Sequence, residues 1–192
     1  AGADQAPRVP RAGTYQPRNA ALAVTAAELL RSRGWNITET HIREGLASVR
    51  WPGRFEVLRR DPIFILDGSH NPHGMTATAE SLRTYFRGEK LWFVMGVMAD
   101  KDVAGIARLL APMAAGFAAV EPPNPRAMKP ISLADLLRRE TGAEAVPFTT
   151  IEAGVDWVLT RAAHTGRPAA ALGSLYFSGQ VRAAVEAWSR EH

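Results

Sequence analysis

The stretch ILDGSHNPHG, residues 65–74, gathers an aspartate, a serine, two histidines and an asparagine directly behind an apolar run. Ile63, Phe64, Ile65 and Leu66 read as a short buried strand, so Asp67 falls at its carboxyl end. Gly68 permits a tight turn, and Asn71–Pro72 can open a helix whose free amide groups favour an anion. Asp67 can accept from ribose hydroxyls or hold a metal, and His70 can donate to a phosphate or carboxylate oxygen. The plain alternative is a polar strand-to-helix turn in which Asp67 caps the helix and the histidines are solvated.

Two further stretches carry candidate chemistry. GVMADKD, residues 96–102, sets Lys101 between acids at the start of a helix. GSLY, residues 173–176, places Ser174 and Tyr176 just after an apolar segment. Lys101 also reads as an ordinary solvated lysine, and Ser174 as a serine satisfying its own turn. No G-x-S-x-G elbow surrounds Ser174, which argues against a hydrolase nucleophile. No G-x-x-x-x-G-K-[ST] or G-x-G-x-x-G loop is present, and no H-E-x-x-H pair offers zinc. His41 and His164 read as surface residues on helices.

The elements that position these tips follow from periodicity. Asn19 to Arg33 has a helical stripe of Leu22, Ala26, Leu29 and Leu30, and Thr38 caps a second helix carrying Ile42, Leu46 and Val49. The turn signal at Pro52–Gly53 marks a boundary. Strands are then expected at 54–58 and 63–66, a helix bearing Met75, Ala79, Leu82 and Phe86, and a doubly covered strand from Leu91. A helix with Val103, Ile106 and Leu110 follows, then a strand at 117–120. Ser132 with Asp135 signals a capped helix, 145–148 a strand, and Thr149 with Glu152 another capped helix. A final strand lies in PAAAL, and the closing helix presents Val181, Val185 and Trp188. Strands alternating with helices predict an α/β fold, a mostly parallel open sheet with helices on both faces. In such sheets ligands sit beyond the carboxyl ends of the strands, where 67–73, 96–102 and 173–176 all fall.

Composition sets the bounds. The 192 residues, 46% of them hydrophobic and five of them tryptophan, suffice for one core with an appendage. Zero cysteines exclude a disulfide framework and thiolate chemistry and fit a reducing cytoplasm. No segment approaches the roughly 20 apolar residues of a membrane helix. The net charge of +4 comes from arginines scattered among acids, unlike a nucleic-acid face. Residues 1–12 read as a flexible linker, and the missing initiator methionine points to a processed or excised chain.

YQPRNAALAVTAAELL, REGLASVRWPGRFEVL, ILDGSHNPHG, GVMADKD, NPRAMKP and GSLYFSGQVR, in this order, resemble the folylpolyglutamate synthases/dihydrofolate synthases of the Mur ligase superfamily. The resemblance runs from about residue 10 to the end. It implies an ATP-dependent amide ligase: a folate or dihydropteroate carboxylate is phosphorylated to an acyl phosphate, which the amine of L-glutamate attacks. Residues 13–50 would be the last helices of an ATPase domain and 51–192 the C-terminal ligase domain.

In that frame Asn19 and Arg54 match positions facing the nucleotide, and Asp67 matches the acid on the ribose side of ATP. His70, in the same motif, lies near the phosphates or the incoming amino acid and is the catalytic candidate. Lys101 and Ser174 match positions that related ligases use for the amino-acid carboxylate, with Tyr176 beside them as a substrate-binding candidate. ATP and Mg²⁺ would be bound mainly by a Gly-rich loop that this chain lacks, which implies a monomeric ligase whose isolated C-terminal part is inactive. Two rivals share some residues: a nucleotide-binding or docking module without chemistry, and a phosphohexomutase-like phosphotransferase in which Ser69 would carry the phosphoryl group.

Overall fold

The computed structural model describes residues 13–192, so the linker expected at 1–12 lies outside the described residues. The chain divides into two compact units between Pro52 and Gly53. The first holds α1 (Gln16–Ser32) and α2 (Glu39–Ser48). Thr38 caps α2 as expected, its hydroxyl accepting from the His41 amide at 3.1 Å. The two helices make no core of their own. Leu22 and Leu29 of the predicted apolar stripe are 66% and 56% exposed, and no residue of α2 is buried.

The second unit is a six-stranded sheet in the order β1-β2-β6-β3-β4-β5. In chain order it runs β1 (Glu56–Arg60), β2 (Ile63–Asp67), α3 (Pro72–Tyr85), β3 (Leu91–Met95), α4 (Val103–Leu110), β4 (Ala114–Ala119), α5 (Pro130–Thr141), β5 (Glu144–Pro147), α6 (Ile151–Thr165), β6 (Ala169–Leu172) and α7 (Ser178–Glu191). β1 pairs antiparallel with β2 at one edge, and every other pairing is parallel. No described helix is long and apolar enough to cross a membrane.

Period-two alternation divides the core into two layers. Ile65, Phe93, Met95 and Phe117 pack with Met75, Leu82, Ile106, Leu133 and Leu137 of α3, α4 and α5. Phe64, Leu66, Trp92 and Val94 pack with Val155, Leu159, Val181 and Trp188 of α6 and α7. The Phe93 and Phe117 rings stack at 5.3 Å, and burying each such side chain contributes about 1.5–3 kcal/mol.

Several local expectations shift. The first strand starts at Glu56 because Gly53 and Phe55 take positive φ angles of 71° and 47° and hold the preceding residues in a loop. Ser132 does not cap α5: the helix starts at Pro130, and the fixed φ of proline suits the first helical turn. For α6 the cap is Thr150, accepting from the Ala153 amide at 3.1 Å, rather than Thr149. β4 begins three residues before the expected Phe117.

The order of strands matters most for the tips. β6 inserts between β2 and β3, with Leu172 in register with both Asp67 and Met95. The next residue, Gly173, sits at φ 108°, where a Cβ would fall 2.6 Å from the Gly96 carbonyl oxygen. Only glycine fits that conformation and that approach.

Glu56 on β1 ties the antiparallel edge to α7. Its oxygens accept from Arg182 Nη1 at 2.7 Å and Nη2 at 2.9 Å. The Arg182 hydrogen bonds hold the Glu56 carboxyl below its ordinary value of 4.5, helped by the Gly53 amide and opposed by burial. A carboxyl depressed in the folded state stabilises above its unfolded pKa, and that contribution is lost as pH falls through the folded value. Glu56→Gln is therefore expected to lower stability at pH 7 by about 0.5–1 kcal/mol, the range of a partly exposed pair. Denaturant titrations should show the gap from wild type closing as pH falls below the ordinary carboxyl value of 4.5; a gap that is constant or widens with acid contradicts the pairing.

Candidate functional site

Asp67 is the last residue of β2, and its carboxylate is fully buried. Oδ2 accepts from the Phe55 amide at 2.7 Å. Oδ1 accepts from the Ser69 amide at 2.8 Å and the Thr78 hydroxyl at 3.1 Å. With Thr78 donating to Asp67, Ser69 supplies the proton of the 2.8 Å Ser69–Thr78 hydroxyl pair. One side chain thus joins the loop before β1, the turn after β2 and the second turn of α3. Asp67 is not the helix cap: Asn71 is, its side chain accepting from the Gly74 amide at 2.8 Å, with Pro72 opening α3. The carboxylate expected at the ribose side of a nucleotide has no exposed surface here, and its hydrogen bonds order the loop and turn around it.

The loop at Gly53–Glu56 is pinned at successive residues. The Gly68 amide donates to the Gly53 carbonyl at 2.8 Å, and the Gly53 amide donates to Glu56 Oε2 at 2.8 Å. Phe55 is the one non-glycine described residue with positive φ. Such a conformation costs about 1–3 kcal/mol and persists only when its surroundings fix it. Here the Asp67 hydrogen bond fixes it, together with a buried ring 5.4 Å from that of Tyr85. Between these pinned neighbours Arg54 is half-buried, and its guanidinium has no hydrogen bond or ion pair among the described residues.

The remaining tips differ in how firmly they are held. His70 Nδ1 lies 2.9 Å from the Gly68 carbonyl. A carbonyl only accepts, so Nδ1 carries the proton and Nε2 is left for a ligand. Ser174 is 2% exposed, and its hydroxyl oxygen accepts from the Tyr176 amide at 3.1 Å in a closed turn. The Tyr176 ring is exposed. Between them Leu175 lies over Gly53 and Gly68, and a Cβ at Gly68 would collide with its side chain. Lys101 Nζ sits 3.5 Å from Asp100, which Arg126 also approaches at 3.5 Å.

The structure therefore brings Arg54, Asp67, His70, Ser174 and Tyr176 into one connected cluster. Lys101 follows β3 on the same carboxyl edge, but its hydrogen bonds and ion pair among the described residues stay within its own loop. Asn19 belongs to the other unit, where its amide donates to Gln16 at 3.2 Å. Phe55, Thr78, Glu56 and Arg182 escaped the sequence reading. Thr78 resembled filler in an apolar stripe, and a pair 126 residues apart leaves no local signal. Ser69, the residue a phosphotransferase would phosphorylate, is 4% exposed with its hydroxyl engaged, which argues against that rival.

Among the described residues no three His, Asp or Glu side chains gather as metal ligands. The chemistry on offer is anion binding by Arg54 and Lys101, and a hydrogen-bonding imidazole at His70.

Comparison with known proteins agrees with this geometry. Residues 53–174 match the family model "Mur ligase, glutamate ligase domain". The folylpolyglutamate synthase of Lacticaseibacillus casei is 32% identical over 178 residues, covering 91% of this chain and 39% of that protein. The dihydrofolate synthase/folylpolyglutamate synthase of Bacillus subtilis is 28% identical, covering 88% of this chain and 39% of its own length. Among solved structures, Mycobacterium tuberculosis folylpolyglutamate synthase complexed with ADP and AMPPCP superposes with a TM-score of 0.84 at 27% identity, over 93% of this chain and 42% of that one. The chain thus spans about two fifths of the relatives it matches. Sheet, strand tips and matched residues together place it: the chain belongs to the Mur ligase family and carries its glutamate ligase domain.

Proposed function

We propose that this chain is the C-terminal part of an ATP-dependent ligase that joins L-glutamate to dihydropteroate or a folate. The observation that carries the reading is the pinned loop at Gly53–Glu56, which holds an unpaired Arg54 between residues tied to Gly68 and Asp67 at the carboxyl end of β2 in a glutamate ligase domain. A carboxylate is a poor electrophile until one oxygen becomes a leaving group, so ATP must first phosphorylate it. The γ-phosphoryl group passes to the substrate carboxylate with release of ADP. The glutamate amine then attacks the acyl carbon, the amide bond forms, and phosphate departs.

In this reading Arg54 meets nucleotide phosphate as a fixed cation, and Asp67 orders the turn that holds His70 and the Arg54 loop. His70 Nε2 hydrogen-bonds a phosphate oxygen or the incoming amino acid, while Lys101 attracts the glutamate carboxylate beside Ser174 and Tyr176. Asn19 contributes from the helical unit. Mg²⁺ chemistry belongs to a phosphate-gripping segment with a sequence unlike any in these 192 residues. The same reading places the ligase in the cytoplasm as a monomer, without membrane or nucleic-acid partners.

The roles of Arg54 and Asp67 separate by mutation in the full-length ligase. Arg54→Ala should raise KM for ATP about 5- to 100-fold, the loss of one charge-assisted contact of about 1–3 kcal/mol, and leave the unfolding midpoint unchanged. Asp67→Asn turns an acceptor toward donors with its NH₂ group, so it should lower stability by about 1–3 kcal/mol as well as activity. Steady-state kinetics beside thermal melts decide: an unchanged KM for ATP in Arg54→Ala refutes the nucleotide contact. The 192-residue chain alone, given ATP, Mg²⁺, dihydropteroate or tetrahydrofolate and glutamate, should release no ADP. Coupled ADP release and glutamylation by that chain would overturn the division of labour.

A further inference from the structure

The Arg54 loop is fastened on its far side by a contact that no strand or turn requires. Glu56, two residues after Arg54, holds Arg182 of α7 through both oxygens, at 2.7 and 2.9 Å. The same Oε2 also accepts from the Gly53 amide, one residue before Arg54. A planar guanidinium against a carboxylate fixes direction as well as distance, which a single point charge does not. Arg182 lies in the first turns of α7, the helix that follows directly from the Ser174–Tyr176 tip. Leu175, from that tip, packs on Gly53 and Gly68.

We infer that Glu56 and Arg182 form a positioning clamp that sets the angle at which Arg54 is presented to the nucleotide and links that angle to the β6–α7 tip. The inference rests on the proposed contact of Arg54 with nucleotide phosphate. Four restraints meet on four residues: Gly53 is held by Gly68 and Glu56, Phe55 by Asp67, and Glu56 by Arg182. Every link except the last lies within residues 53–78. The clamp is the charged contact nearest Arg54 through which a displacement of α7, or of the tip that precedes it, reaches the loop; Arg59, five residues further on, also holds α7 through Ser189 and Trp188. Misplacing a positioning group by about 1 Å can cost as much as 100-fold, so a half-exposed ion pair of small worth to stability can still govern substrate affinity.

The test uses the full-length ligase with Glu56→Gln, Arg182→Met, the milder Arg182→Lys, the Glu56→Gln/Arg182→Met double variant, and each of the single variants combined with Arg54→Ala. Glu56→Gln and Arg182→Met should each raise KM for ATP about tenfold and leave kcat and KM for glutamate within about twofold. The double variant should be no worse than either single, because both remove one contact. In the Arg54→Ala background neither change should raise KM for ATP further. Arg182→Lys, which keeps the charge but cannot span both oxygens, should fall between wild type and Arg182→Met.

If Arg54→Ala raises KM for ATP while the clamp variants do not, the clamp is refuted and the nucleotide contact stands. If Arg54→Ala has no effect, both fall. Equal losses in kcat and in affinity for every substrate, tracking a lowered melting temperature, would reduce the pair to scaffolding and overturn the proposal.

Discussion

The Asp67 carboxylate is the constraint on which the candidate site depends. It ends the strand that stands at the switch of the sheet, and it collects hydrogen bonds from a loop amide, a turn amide and a helix hydroxyl. A buried carboxylate without donors would cost several kcal/mol, so these three segments cannot separate without exposing that cost. The strained Phe55 backbone is stabilised by one oxygen of the carboxylate whose other oxygen organises the turn of His70. Rigidity at the strand tip and strain in the neighbouring loop are two sides of one contact.

The rest of the unit serves to bring that contact to the correct edge. The two apolar layers bury both faces of the sheet, and the insertion of β6 between β2 and β3 brings three strand ends together. Gly173 and Gly68 let backbone and Leu175 approach where a Cβ would intrude. Among the described residues at that edge, the Arg54 guanidinium and Nε2 of His70 have no partner, and neither does the buried Ser178 hydroxyl near Gly53. A guanidinium and an imidazole nitrogen in that position suit an anion.

Much of this was legible in the sequence. Continuous apolar runs such as LWFVM, the Asn71–Pro72 helix start and the alternation of strand with helix gave the mostly parallel sheet and its carboxyl edge. Legible, too, was the group Asp67, His70 and Ser174, because residues at strand ends share an edge once the strands are parallel. What escaped depended on tertiary context. The burial of Asp67 was not legible, because a carboxylate after a strand carries no sign of which amides will enclose it. Arg54–Phe55 looked like the start of a strand because no pattern announces a positive φ at phenylalanine. The Glu56–Arg182 pair joins residues with nothing between them in sequence to connect them. Cap positions moved by one to three residues, since Pro130 and Thr150 offered helix starts as good as those expected. The stripe of α1 was read correctly as apolar, yet Leu22 and Leu29 remain exposed because α1 and α2 form no core of their own.

The central claim, that the carboxyl edge where β2, β6 and β3 end forms the nucleotide-facing wall, is tested most directly by amide and arginine side-chain chemical shifts of the ¹⁵N-labelled chain titrated with millimolar ATP. The account predicts shifts centred on Arg54 Nε and the amides of Phe55, Gly68 and His70, with residues at the amino ends of the strands, such as Leu91 and Ala169, unmoved. Shifts confined to that opposite edge, or an Arg54 resonance indifferent to saturating ATP, would contradict it.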